Sequence, residues 1–203
     1  QVSAKVIGEP CVEFLGNGSA GNYVKMVHNG IEYGIMQLIA ETYDLMKRLY
    51  GFDTQTIQQT FEEWNKGELN SFLLEITAQI LKKKEGDQYL VDLISDWARS
   101  KGTGKWTSQN AMDLQVPVPV IDAAVNMRDM SKYKPERLEA AKLLQWDGQA
   151  VDLPAATLIS RLKNALYFVI ITTYAQGLAQ LTVASESYSY ELDLQVVTKV
   201  WRG

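Results

Sequence analysis

Along most of this chain apolar residues recur at intervals of three and four, and the elements they predict are helices. Over 20–50 there is no Pro, and Val24, Val27, Ile31, Ile35, Leu38, Ile39, Leu45 and Leu49 mark one continuous stripe, the period of a helix with a buried face. Gly51 is placed to end that run, which at about 1.5 Å per residue would reach about 45 Å. Shorter helices are predicted over 55–65, with Asp53 or Thr54 as cap, and over 71–83, with Asn70 as cap and Phe72, Leu73, Ile76, Ile80 and Leu81 on one stripe. The run Lys82-Lys83-Lys84-Glu85-Gly86-Asp87 reads as a solvated helix end. Further helices follow over 88–99, with Leu90, Leu93, Ile94 and Trp97 inward, from Ser108 to a stop at Pro117, over 119–130, and over 135–144 from Pro135. Asp152 and Pro154 open a second long run over 155–186, whose interior (Leu166, Phe168, Val169, Ile170, Ile171) predicts a helix buried on several sides. Asp193 is placed to cap a last helix over 194–201. Only Val12-Glu13-Phe14-Leu15 alternates as a strand does, between glycines at 8, 16 and 18. The predicted fold class is all-α, a multi-helix domain built on two long helices with one residual N-terminal strand.

Composition narrows the chemistry. The 203 residues are enough for one large domain, or a domain plus a fragment. Cys11 and His28 are the only residues of their types, too few for a His/Cys metal cluster and too few for a disulfide within the chain. Twenty Lys and Arg stand against 24 Asp and Glu, a net charge of −4, which carries no electrostatic footprint for nucleic acid. The strongly apolar stretch at 165–171 falls short of the ~20 residues a membrane span needs, so no membrane partner is expected. No secretory signal pattern opens the chain. It begins with Gln1 rather than Met, and is expected to be part of something larger.

Candidate chemistry gathers on the first long helix. In Lys25-Met-Val-His28-Asn29-Gly30-Ile-Glu32-Tyr33-Gly34, the residues Lys25, His28, Asn29 and Glu32 fall within an arc of about 100°. One face therefore carries an amine, an imidazole, an amide and a carboxylate. Two readings fit. In one, this is a solvated Lys/Glu face whose two charged ends stand too far apart to pair. In the other, a partly buried Lys acts as base and a carboxyl two turns away as acid. Gly30 and Gly34 favour the second, since each interior glycine costs about 1 kcal/mol relative to Ala and makes sense where another backbone or a ligand comes close. Trp64, Trp106 and Tyr174 read more readily as core packing than as an aromatic binding set.

The same residues carry a resemblance. Gly21-Asn-Tyr-Val-Lys25-Met-Val-His28-Asn29-Gly-Ile-Glu32-Tyr33-Gly closely resembles the signature of the 6-phosphogluconate dehydrogenase family. So do Trp64-Asn-Lys-Gly-Glu-Leu-Asn-Ser71, Lys101-Gly-Thr-Gly-Lys-Trp-Thr107, Tyr174-Ala-Gln-Gly177 and Trp201-Arg-Gly203, in register from Gly8 to Gly203. The resemblance implies the all-helical C-terminal domain of a decarboxylating enzyme. There the substrate's 3-hydroxyl loses its proton to a helix Lys while C3 gives hydride to NADP, carbon dioxide leaves, and a Glu protonates C1 to give ribulose 5-phosphate. Lys25 matches the general base and Glu32 the general acid. His28, Asn29 and Tyr33 match substrate contacts, the bland alternative for His28 being a core histidine satisfied by a backbone carbonyl. Lys101, Thr103 and Arg128 match positions gripping a phosphate ester, a dianion suited to Lys, Arg and loop N–H groups. Two residues depart from the pattern: Asn22 where a His is common, and Ile35 where an Asp usually follows Tyr-Gly.

The resemblance also implies an organisation. No GxGxxG and no βαβ series occur in the chain, so residues 1–19 are expected to be the remnant strand and linker of a missing coenzyme domain, and 20–203 a helical substrate-binding and dimerisation domain. NADP would be bound mainly by the missing domain, and the family's tail beyond Trp-Arg-Gly, which reaches into the partner subunit, is also missing. Three expectations follow: a homodimer acting on 6-phosphogluconate, a cytoplasmic location, and no dehydrogenase activity from this chain alone. The competing reading is a stand-alone helical module serving in dimerisation or sugar-phosphate binding. Retention of Lys25, Glu32, Lys101 and Arg128 together favours the enzyme.

Overall fold

The computed structural model describes residues 3–144 and 153–202; Asp152 and Gly203, singled out above, lie outside them. The described chain is helical, as predicted: α1 (Ala20–Asp44) continuing into a π-helical turn (Leu45–Leu49), α2 (Thr54–Trp64), α3 (Phe72–Lys82), α4 (Leu90–Leu93), α5 (Thr103–Asp113), α6 (Pro119–Ser131), α7 (Lys134–Leu143), α8 (Ala155–Ser187) and α9 (Leu194–Val200). Two hairpins of two-residue strands complete it, β1 (Lys5–Val6) with β2 (Glu9–Pro10) and β3 (Lys84–Glu85) with β4 (Gln88–Tyr89). The chain divides into two compact units, one of Gln1–Tyr33, Lys101–Val125 and Thr172–Gly203, the other of Gly34–Ser100 and Asn126–Ile171.

The first unit is built on α1, α5, the start of α6, the end of α8, and α9. Val24, Val27 and Ile31 of α1, Ala111 of α5, Ile121 of α6, Leu181 and Ala184 of α8, and Val197 of α9 form its core. Gly177 of α8 has no side chain where Ile31 sits; a Cβ there would collide with the Ile31 tip. A polar thread runs through this apolar body. The buried Gln180 amide donates to the Thr107 carbonyl (3.0 Å) and to the Tyr23 hydroxyl (3.3 Å). Tyr23 donates in turn to Asn110 Oδ1 (2.5 Å), and Asn110 Nδ2 donates to the Tyr188 hydroxyl (2.7 Å). Burial pushes the Tyr23 phenol up to about 12, so it stays a neutral donor.

In the second unit α2 and α3 pack through Ile57, Phe61, Trp64, Leu74, Ala78 and Leu81. Asp53 caps α2 by accepting from the Thr56 N–H. Ser71, rather than Asn70, caps α3 by accepting from the Leu74 N–H (3.3 Å), because the Asn70 amide is engaged by the Asn65 carbonyl (2.6 Å). The one-residue shift rotates the buried stripe to Leu74, Ala78 and Leu81, and leaves Phe72 and Ile80 exposed.

Four further expectations are corrected. Residues 12–15 form no strand, and Val12 and Phe14 are exposed. A strand needs a ladder partner, and pairing occurs instead around Ile7 and Gly8, both at positive φ (51° and 79°), the backbone of a tight two-residue hairpin turn. Gly86-Asp87 makes the second such turn, Glu85 facing Gln88, where a solvated helix end was expected. That hairpin consumes Gln88 and Tyr89, so the helix predicted over 88–99 shrinks to α4, and Leu93, Ile94 and Trp97 are exposed. The chain beyond is held from the side: Asp96 pairs with Lys134 and Arg137 (2.9 Å each), and the Ala98 N–H donates to Ser131 Oγ (3.0 Å). Third, the helix expected from Ser108 starts at Thr103, after Gly102 at φ 103°. Last, α8 is not buried on several sides: Tyr167, Phe168 and Ile171 are exposed, Phe168 at 69%. Among the described residues α8 is also the one helix long and apolar enough to cross a membrane by length and composition, with a mean hydropathy of 1.3 over eighteen residues, where the shorter window at 165–171 fell short.

Candidate active site

The candidate site lies in the first unit on α1. Gly16 and Gly18, at φ 149° and 56°, turn the chain toward it. The Asn17 N–H donates to the Tyr190 carbonyl (2.9 Å), and a side chain at Gly16 would collide with that same carbonyl. Once in the helix, Val24, Val27 and Ile31 face the core, and helical periodicity turns Lys25, His28, Asn29 and Glu32 the other way.

Three of these side chains meet. His28 Nδ1 stands 3.3 Å from Lys25 Nζ and 3.3 Å from Glu32 Oε2, while Lys25 Nζ and Glu32 Oε2 are 3.9 Å apart. The two charged ends are therefore not too far apart to pair. The imidazole partners are side chains, not a backbone carbonyl. One ring nitrogen faces both an amine that donates and a carboxylate that accepts, so Nδ1 accepts from Lys25 in one tautomer and donates to Glu32 in the other. The hydrogen bond from His28 holds the Glu32 carboxyl below its ordinary 4.5; burial opposes this, and the charges of His28 and Lys25 assist. Glu32 is thus a carboxylate at neutral pH. The Lys25 side chain is 65% exposed, not partly buried as expected.

The remaining predicted residues are placed separately. Asn29 is half-buried beside His28, and Tyr33 is buried with its ring where a Cβ on Gly104 of α5 would fall, 2.7 Å from two ring carbons. Thr103 is the first residue of α5, and its carbonyl accepts from the Thr107 hydroxyl (2.9 Å). Lys101 precedes it, exposed to solvent. Arg128 belongs to the second unit, where its guanidinium donates to the Arg99 carbonyl (3.2 Å). Of the two departures, Asn22 is exposed and Ile35 is buried. No group of three or more His, Cys, Asp or Glu suited to a metal ion occurs among the described residues.

Three residues without a site role in the sequence analysis take part in the geometry. Thr107 donates to the Met26 carbonyl of α1 (2.9 Å) and lies against Gly30, where a Cβ would come within 2.6–2.9 Å of its side chain. Trp201, at the end of α9, sets its ring edge-on to His28, centroids 5.2 Å apart and planes at 61°. Tyr174 stands 6.4 Å behind Trp201, its phenol pushed up by burial and by the Glu32 charge. The signal for all three was membership of the family-like blocks. Of the aromatic trio assigned to core packing, Trp64 is buried, while Tyr174 is 37% exposed and Trp106 is half exposed, its indole lying over Gly102.

Comparison with known proteins gives one answer throughout. The family description "6-phosphogluconate dehydrogenase, C-terminal domain" matches residues 21–203. The decarboxylating 6-phosphogluconate dehydrogenase of Lactococcus lactis subsp. cremoris is 51% identical over 209 aligned positions, covering 100% of this chain and 44% of that protein. The Bacillus subtilis protein named as an NADP(+)-dependent, decarboxylating 6-phosphogluconate dehydrogenase is 48% identical, again with 100% and 44% covered. The solved Plasmodium falciparum 6-phosphogluconate dehydrogenase, described with its cofactor NADP+ and its substrate 6-phosphogluconate, superposes with a TM-score of 0.94 at 45% identity, covering 99% of this chain and 44% of its own. The chain thus spans less than half the length of the relatives it matches.

Proposed function

Because the chain belongs to the 6-phosphogluconate dehydrogenase family, we propose that it carries the proton-transfer machinery of an enzyme that converts 6-phosphogluconate to ribulose 5-phosphate and carbon dioxide with reduction of NADP. The observation that carries the reading is the convergence of Lys25, His28 and Glu32 on one face of α1.

In this reading the Lys25 amine takes the proton of the substrate's 3-hydroxyl, and Glu32 returns one to C1 of the enediol left after carbon dioxide departs. Glu32, a carboxylate in the free chain, must gain a proton before it can give one. The nearest donor is Lys25, by way of the single imidazole nitrogen 3.3 Å from each. Handing that proton across leaves a neutral amine and a protonated carboxyl, the two forms the reaction requires. His28, Asn29 and Tyr33 hold the sugar acid, while Lys101 and Thr103 engage its phosphate. NADP supplies the hydride acceptor; the described residues contain no βαβ unit and no glycine-rich strand-to-helix turn, and so do not fit a dinucleotide site of that kind. The exposed apolar residues of α8 support a homodimer, with the enzyme working in the cytoplasm rather than at a membrane.

The test is kinetic, in a polypeptide of the family's full length carrying this domain. Lys25→Met and Glu32→Gln should each lower kcat by about 10²–10⁴-fold, whereas Lys101→Ala should act mainly on KM. The 203-residue chain assayed alone should reduce no NADP. Near-normal kcat in both Lys25→Met and Glu32→Gln would sink the assignment.

A further inference from the structure

Resting on that reading, we propose that Trp201 is a positioning residue: its indole holds the His28 imidazole in the one orientation that keeps Nδ1 within reach of both Lys25 and Glu32. An imidazole has two ring orientations differing by a half-turn about its terminal torsion, a torsion that is broad and roughly two-fold. In the observed orientation Nδ1 faces the amine and the carboxylate at 3.3 Å each. In the other, a ring carbon faces them, and the bridge between acid and base is gone.

The hydrogen bonds to Lys25 and Glu32 favour this orientation, but both come from flexible side chains, 65% and 34% exposed. The rigid neighbour is Trp201. Its edge-on contact at 5.2 Å and 61° is a favoured aromatic geometry. Trp201 is itself anchored. It closes α9, donating its N–H to the Val197 carbonyl (3.1 Å), and Val197 is fully buried. The start of α9 is fixed by Asp193, which accepts from the Gln195 and Val196 N–H groups (2.8 and 3.3 Å). Tyr174 of α8 backs the indole at 6.4 Å. The groups facing the imidazole are thus Lys25 and Glu32 from its own helix and Trp201 from α9, with Tyr174 behind.

His28 is the only histidine in the chain, so its ring signals in a nuclear magnetic resonance spectrum need no assignment by elimination. In the unsubstituted chain, cross-relaxation between the Trp201 indole and the His28 ring protons is expected; its absence overturns the proposal whatever any variant does. Trp201→Leu should let both ring orientations be sampled, so that cross-relaxation from the two His28 ring protons to the Lys25 and Glu32 side chains averages, while Trp201→Phe, which keeps an aromatic edge, should hold the original pattern. At the family's full length, Trp201→Leu should lower kcat about tenfold or more with a smaller change in KM, and Trp201→Phe should restore most of it. A Trp201→Leu chain that folds, keeps its cross-relaxation pattern and keeps its kcat refutes the idea. So does an equal loss in the Leu and Phe variants, the mark of a merely structural residue. Should the full-length protein show no dehydrogenase activity at all, the functional reading falls, and the spectra still decide whether Trp201 orients His28.

Discussion

Glu32 ties the proposed chemistry to stability. Its carboxyl is lowered below 4.5 in the folded chain, chiefly by His28, so near and below that pH the unfolded state binds protons more readily than the folded state. Stability from this group is therefore fully present above about pH 4.5 and lost as pH falls through the lowered value. Glu32→Gln should flatten the fall in melting temperature on acidification, measured as the difference between midpoints at about pH 7 and about pH 4; an unchanged slope would remove Glu32 as a source. At this scale much was legible in the sequence. Offsets of 0, 3, 4 and 7 put Lys25, His28, Asn29 and Glu32 on one face without coordinates. What the offsets did not reveal is that His28 bridges the other two, or that Lys25 stands in solvent, because rotamers and exposure depend on neighbours far along the chain, such as Trp201 beside His28.

Helices here are positioned by missing side chains. Gly30 meets Thr107 of α5, Gly104 meets Tyr33 of α1, and Gly177 meets Ile31 of α1, so three glycines serve three close approaches. An alanine at 30 would gain about 1 kcal/mol of helix propensity but force its Cβ within 2.6–2.9 Å of Thr107, an overpacking cost of about 1–3 kcal/mol or more. We expect Gly30→Ala to lower the melting temperature by several degrees. Gly21→Ala on the same helix, where nothing lies within 4 Å, should leave it level or raise it. Equal effects at both positions would show that the crossing does not matter. Element existence was read well from periodicity for α1, α2, α6, α7, α8 and α9. It failed over 88–99, where apolar spacing looked helical and the Gly86-Asp87 turn prevailed, and for α5 only the start was misplaced, because it is set by the left-handed backbone of Gly102 rather than by a capping side chain.

For the molecule as a whole, α8 poses the main question. Tyr167, Phe168 and Ile171 face outward on a helix that meets membrane-span criteria by length and composition. On the proposed reading a second copy covers them. Sedimentation should then find a dimer, and Phe168→Asp combined with Ile171→Asp should yield monomers; partition of the unsubstituted chain into neutral phospholipid vesicles would favour the membrane instead. The sequence showed that this surface was apolar, but judged it interior, since hydropathy does not distinguish a core from a face awaiting cover. On that dimeric reading, folding and association become a single equilibrium. The melting temperature of this chain should climb as its concentration is raised, and dilution alone should act as a denaturant.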